Sequence, residues 1–202
     1  EIGAALADRL RMGLVQDEGV HAHQEHLFKL MRRARGEYPA GKIVVHPFLD
    51  GRDTPPRSTL EYLARLEKEV EAVGNCVIGT VQGRYYAMDR SKNYGLTDTA
   101  YACIVQASGR SALTAVAAVQ ASYAKDLTPD KTPMVDEYIP PYVIGCYAGM
   151  KDGDSVMHFN YRQDRAIQLT QAFVCEDYKG LRGARPKVAY LGFTRYWDEF
   201  TE

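Results

Sequence analysis

The sequence predicts an α/β fold, a three-layer α/β/α domain with a mostly parallel central sheet. Two observations carry this. Apolar, β-rich runs alternate with amphipathic stretches of helical period, the signature of repeated strand–helix–strand units. The residues of unusual chemistry follow those runs, where open α/β sheets place their ligands. With 202 residues, 46% of them hydrophobic and 25% charged, the composition is that of an ordinary globular protein. A domain of this size buries roughly 70% of its unfolded surface, so it needs neither disulfide nor metal to stand.

The elements are justified in order. Arg9 to Val15 reads as a first strand. A polar loop follows through Gln16-Asp17-Glu18-Gly19, then a helix from about Ala22 to Arg35 with Leu27, Leu30 and Met31 on one face. Lys42 to Phe48 is a second strand. The loop Asp50-Gly51-Arg52-Asp53-Thr54-Pro55-Pro56 leads into a helix that runs to about Val73, with Leu60, Leu63, Leu66 and Val70 at helical spacing. Cys76 to Val81 is a third strand, followed by Gly83-Arg84-Tyr85-Tyr86-Ala87-Met88-Asp89-Arg90. Two helices are expected near Thr97 to Ala107 and Ser111 to Tyr123, then a stretch containing Pro129, Pro133, Pro140 and Pro141. Asp154 to Asn160 is another strand, with Arg162 and Arg165 opening the helix after it. A last strand spans Lys187 to Phe193. Neither end reads as the natural limit of a chain, and a segment of a longer protein is expected.

Charge and cysteine usage narrow the partners. The net charge is −1, from 25 basic and 26 acidic residues, without the basic excess of a nucleic-acid surface. No apolar run reaches the ~18 residues that would span a bilayer. Cys76, Cys103, Cys146 and Cys175 are far apart and form no C-x-x-C. They read as reduced, buried thiols of a cytoplasmic protein, with two disulfides in a secreted protein as the minor alternative. A small-molecule partner is expected, with neither nucleic acid nor membrane, and a monomer.

The chemistry collects in four loops. His21 follows the first strand, and Arg52 with Asp53 the second. Arg84 and Arg90 follow the third, Arg162 and Arg165 the Asp154–Asn160 strand. A guanidinium fork binds carboxylate or phosphate oxygens through two parallel charge-assisted bonds and stays charged at any working pH. Any one of these arginines alone would read as a solvated surface charge. Massed together they repel, so an anion with two or more charges should complete the set, and a carboxylate plus a phosphate fits. Asp50 and Asp53, which flank Arg52, could merely cap the next helix and pair with that arginine, and Asp50 reads as readily this way as functionally. Tyr85 and Tyr86 read as packing residues. His21, His23 and His26 lack the cysteine or carboxylate pair that would complete a metal site, so no metal ligand is expected in this segment.

These motifs resemble a known family. HPFLDGRDTPP, GRYYAMDR and FNYRQDRAIQLTQAF are similar to the central domain of the cofactor-independent (2,3-bisphosphoglycerate-independent) phosphoglycerate mutases, and GLVQDEGVHAHQEHLF to the stretch that opens it. The resemblance implies an enzyme that interconverts 3-phosphoglycerate and 2-phosphoglycerate in glycolysis and gluconeogenesis through a phosphoserine intermediate. It implies an inserted substrate-binding domain over 10–196. Residues 1–9 would come from the preceding linker, and 197–202 would start the return linker to a phosphatase-like domain. That domain would carry the serine and two divalent metals, manganese or else magnesium, outside this segment. Carried over by motif, His21, Arg52, Asp53, Arg84, Arg90, Arg162 and Arg165 bind substrate, and Asp53 handles the glycerate hydroxyl proton. Where the family reads S-D-G-G-V-H-S-H, Glu18 brings an acid beside the histidine and Ala22 loses a hydroxyl. No G-x-S-x-G or H-E-x-x-H occurs, so this segment alone should be inactive. Two alternatives stay open: a non-catalytic phosphoglycerate- or anion-binding domain, and another phosphomutase of the alkaline-phosphatase superfamily.

Overall fold

The computed structural model describes residues 8–198 and 200. Most of the proposed 1–9 linker and residues 199, 201 and 202 of the return linker lie outside the described residues. Eight strands form one sheet: β1 (Arg9–Leu14), β2 (Ile43–Leu49), β3 (Cys76–Ile78), β4 (Thr80–Gly83), β5 (Arg110–Ala112), β6 (Tyr142–Ile144), β7 (Ser155–His158) and β8 (Ala189–Gly192). The order is β5-β6-β4-β2-β1-β7-β8, with β3 also on β2. Every pairing is parallel except β4 with β6. The expected α/β fold with a mostly parallel sheet is therefore present.

β1 and β2 form its centre, with Arg9 opposite Ile43 and Leu14 opposite Phe48. Every residue of β2 is buried, as a parallel strand covered on both faces must be. The helices are α1 (Gln24–Glu37), α2 (Thr59–Val73), α3 (Arg84–Ala87), α4 (Tyr94–Gln106), α5 (Ala115–Lys125) and α6 (Ile167–Val174). α2 packs on α1 and α5, and α4 packs on α3 and α6, which gives two helical groups around the sheet. Leu27, Met31, Leu63 and Leu66 from the first group are buried in the core, as are Ile104, Leu169 and Phe173 from the second.

Four local expectations change. The third strand is not continuous: it breaks at Gly79 into β3 and β4. Val45 pairs Ile78 and Phe48 pairs Gln82, so the broken strand holds one more residue than β2 does over the same stretch, which is a bulge. A side chain at Gly79 would stand 2.7 Å from Val44 and 2.8 Å from His46, so only glycine lets the strands close there. The helix expected from Ser111 starts at Ala115, because Arg110–Ala112 is edge strand β5 and the Thr114 side chain caps α5 through the Ala117 N–H. The Pro-rich stretch hides β6, which enters straight after Pro140-Pro141. The last helix begins at Ile167, leaving Arg162 and Arg165 in the loop before it. Of the four free cysteines, Cys76 and Cys103 are buried as expected, whereas Cys146 is exposed and Cys175 half-buried. No described helix is long and apolar enough to cross a membrane.

Candidate functional site

The loops that leave the carboxyl ends of β1, β2, β4 and β7 meet at one edge of the sheet. Hydrogen bonds at two places tie β1 and its loop to the loop after β7. The Leu14 N–H donates to the Asn160 side-chain oxygen at 2.9 Å. The His21 carbonyl accepts from the backbone N–H groups of Tyr161 at 2.8 Å and Arg162 at 3.3 Å. The β1 loop turns at Gly19, with φ +74°, and Gln16 holds it by accepting from the Glu18 and Gly19 N–H groups. Glu18 is exposed, and the charges that act on His21 are those of Arg84, Asp164, Asp53 and Arg162.

Arg84 is the hub. It opens α3 directly after Gly83, whose own Cβ would fall 2.1 Å from the Glu137 carbonyl oxygen. The Arg84 side chain is only 2% exposed. Its Nη1 donates to Asp50 Oδ1 and to Asp53 Oδ2, each at 2.5 Å, and its Nη2 lies 3.0 Å from His21 Nε2. Asp50 is 1% exposed and Asp53 22%. Asp50 Oδ1 also accepts from the N–H groups of Arg52 and Asp53, so it shapes its own loop instead of capping α2. The cap on α2 is supplied by Asp136, which accepts from the Ser58 and Thr59 N–H groups.

A second group of charges lies beside the hub. Asp164 Oδ2 accepts from Arg90 Nη1 at 2.6 Å, and Asp164 Oδ1 is 3.2 Å from Arg162 Nε and 3.6 Å from His21 Nδ1. Arg90 and Arg162 are half-exposed. Arg165 donates to the Met88 carbonyl at 3.1 Å. Arg52 stands at the rim, 54% exposed, and faces Glu137 at 3.3 Å. The structure thus joins His21, Asp53 and Arg84 directly, and sets Arg90 and Arg162 against them through Asp164. Arg165 lies within range of the Arg84, Arg90 and Arg52 charges. A cavity of about 410 Å³ opens next to Arg90 and Asp164, lined further by Tyr94, Gln168 and Trp197.

The electrostatics follow from this geometry. Burial would raise the Asp53 carboxyl, but the Arg84 hydrogen bond and the Arg84, His21 and Arg165 charges override it and hold it below its ordinary range. Burial and the Arg84 charge push the His21 imidazole down to about 4, so it is neutral at pH 7. Burial and the neighbouring guanidiniums of Arg84, Arg90 and Arg52 lower Arg165. At neutral pH the site offers an ionised carboxylate, a neutral imidazole and several guanidiniums that can each take an oxyanion. Three residues here were not singled out from the sequence as members of the site: Asp164, Glu137 and Asp136. Only the acid inside NYRQDR carried a signal, its place between two arginines.

The family model described as the BPG-independent PGAM N-terminus matches residues 8–198. The chain belongs to the BPG-independent phosphoglycerate mutase family. It is 43% identical over 187 residues to the 2,3-bisphosphoglycerate-independent phosphoglycerate mutase of Synechococcus sp. (strain JA-2-3B'a(2-13)), covering 92% of this chain and 33% of that protein. It is 43% identical over 189 residues to the enzyme of that name from Pseudomonas syringae pv. tomato, covering 92% and 35%. The crystal structure of Leishmania mexicana phosphoglycerate mutase at low cobalt concentration superposes with a TM-score of 0.86 at 28% identity, covering 94% of this chain and 36% of that one. The chain therefore spans about a third of the length of the mutases it matches. The fold and the family expected from the motifs are both found.

Proposed function

We propose that this chain is the substrate-gripping domain of a phosphoglycerate mutase that interconverts 3-phosphoglycerate and 2-phosphoglycerate. The observation that carries the reading is the ionised Asp53 carboxylate set among arginines at the sheet edge. Arg52, Arg90, Arg162 and Arg165 would take the carboxylate and phosphate oxygens of the substrate. Arg84 would hold Asp53 and His21 in place. The serine that accepts the phosphoryl group would lie in the rest of the full-length protein. Among the described residues no three His, Cys, Asp or Glu side chains gather as a metal site. The two divalent ions, manganese or magnesium, would likewise be held there, supplying Lewis-acid stabilisation of the transferring group. A cytoplasmic, monomeric enzyme of glycolysis and gluconeogenesis, with the gripping domain over 10–196 between linkers, completes the reading.

The chain's own chemistry is proton transfer. Asp53 accepts the proton of the glycerate hydroxyl as that oxygen attacks the phosphoserine phosphorus. The new O–P bond forms and the serine oxygen leaves. In the reverse direction Asp53 returns the proton. A carboxyl held low by Arg84 is a good base and a poor acid. An anionic substrate seated among the arginines offsets their charge and raises the Asp53 carboxyl toward working range. General acid–base assistance of this kind contributes about 10²–10⁴-fold.

The test has two arms. This chain alone, with added manganese, should bind 3-phosphoglycerate and interconvert nothing. In the full-length enzyme, Asp53→Asn should bind phosphoglycerate with near-native affinity and lose at least about a hundredfold in kcat. Near-normal turnover by that variant would sink the role given to Asp53.

A further inference from the structure

Asp164 is a carboxylate inside an arginine cluster built to take carboxylates. Its position differs from that of the other acids at the site. Asp50 and Asp53 are clamped on the buried Arg84, and Glu137 faces Arg52 at the rim. Asp164 is 28% exposed and touches two half-exposed guanidiniums from different loops, Arg90 at 2.6 Å and Arg162 at 3.2 Å. Ion pairs between exposed groups are weak and easily exchanged, whereas breaking a buried pair strands a charge. Of the acids at the grip, Asp164 pairs with two guanidiniums that also stand open to solvent.

His21 supplies the second observation. A guanidinium nitrogen can only donate, so Arg84 Nη2 at 3.0 Å fixes His21 Nε2 as the acceptor. The neutral ring must then carry its proton on Nδ1. That atom is buried without a hydrogen-bond partner, and the atom it faces, Asp164 Oδ1, accepts no hydrogen bond either and is held only by its ion pair with Arg162 Nε. Their separation of 3.6 Å is just too long for a hydrogen bond. Buried polar groups seldom stay unpaired. A donor and an acceptor facing across such a gap mark a bond made in another state of the site.

We propose that Asp164 is a resident stand-in for the ligand's anionic group. In the empty site it neutralises Arg90 and Arg162. An arriving oxyanion takes those guanidiniums over, and the released Asp164 carboxylate closes on the Nδ1–H of His21. Asp164 is then a competitor in the empty site and a positioning residue for His21 in the filled one. The identity of the ligand rests on the phosphoglycerate reading; the exchange itself requires only an oxyanion.

Calorimetric titration of the chain and of its Asp164→Asn variant with inorganic phosphate tests the competitor role. The variant should bind phosphate about tenfold more tightly, about 1.4 kcal/mol. Equal, weaker or undetectable phosphate binding by the variant overturns the proposal. A second measurement needs no variant. In the wild-type chain, saturating phosphate should move the His21 Hδ1 proton resonance downfield as its hydrogen bond to Asp164 forms, and an unmoved resonance overturns the proposal. Titration with 3-phosphoglycerate separates the two readings. If it binds no better than phosphate, the substrate assignment fails while the phosphate arms still decide the exchange.

Discussion

Arg84 carries its charge where almost no water reaches it. Taking an ion out of water costs several kcal/mol, and only well-placed partners repay it. Two carboxylates at 2.5 Å do so here, and one of them, Asp50, is as deeply buried as the arginine. Arg84→Ala would strand Asp50 as an uncompensated buried charge. Its urea-unfolding free energy should fall by about 3–5 kcal/mol; a loss below about 1 kcal/mol would mean that Asp50 is not held as described. Placing Arg84 in the site was legible from the sequence, since GRYYAMDR follows a strand end. Its sealed position was not, because burial of one arginine depends on which acids turn toward it. Asp50 read equally well as a cap, and Asp164 and Glu137 find their partners only through the fold: 74 residues separate Arg90 from Asp164 and 85 separate Arg52 from Glu137.

Gly83 sets where α3 begins and so where Arg84 points. Its N–H donates to the Ile139 carbonyl at 2.8 Å, and its missing side chain leaves room for the backbone of Glu137. A methyl group 2.1 Å from a carbonyl oxygen cannot be relieved by a rotamer change, because the obstacle is main chain. Gly83→Ala should therefore cost at least the roughly 1–3 kcal/mol typical of overpacking, and should weaken phosphate binding by displacing the next residue, Arg84. Thermal unfolding beside a phosphate titration checks both, and a variant unchanged in both would refute this role. The long elements were readable because each offers several turns or alternations of pattern. β3, β5 and β6, at three residues each, are too short to show a period. The break at Gly79 looks like an uninterrupted apolar run, CVIGTV, because nothing in that run shows how closely Val44 and His46 approach.

Across the whole molecule, three histidines are kept neutral inside the fold. His46 and His158 are fully buried, with their imidazoles pushed down to about 3 by burial, and His21 is lowered to about 4. The unfolded chain takes up protons on all three below about pH 6.5, whereas the folded chain refuses them until far lower. Their contribution is complete above that pH and is lost as the pH falls. Asp136 opposes them: burial raises its carboxyl to about 6, so its folded form keeps a proton that the unfolded chain has released, and its contribution grows between about pH 6 and 4. Each histidine is worth roughly 2 kcal/mol between pH 7 and pH 5, and three outweigh one acid. The urea midpoint should fall over that range; a level or rising profile would contradict the burial of neutral imidazoles. The fold class was legible at this scale because alternation of element type fixes a parallel sheet. The pairing of β4 with β6 was not, since a single antiparallel strand leaves no mark on that alternation.

The sheet order sets an order of assembly during synthesis. β1 is the second element at the centre, and its outer neighbour is β7, with the bond from Leu14 to Asn160 spanning 146 residues. A ribosome that has released His21, Arg52, Arg84 and Arg90 has not yet released the loop whose N–H groups hold His21. Until β7 emerges, one edge of the central strand β1, buried from Leu10 to Leu14 in the finished fold, stands open, and the grip exists only as separate, unlinked loops. The binding edge of this domain is thus among the last parts to form on a nascent chain, and the exposed flank of β1 is what a chaperone would have to cover.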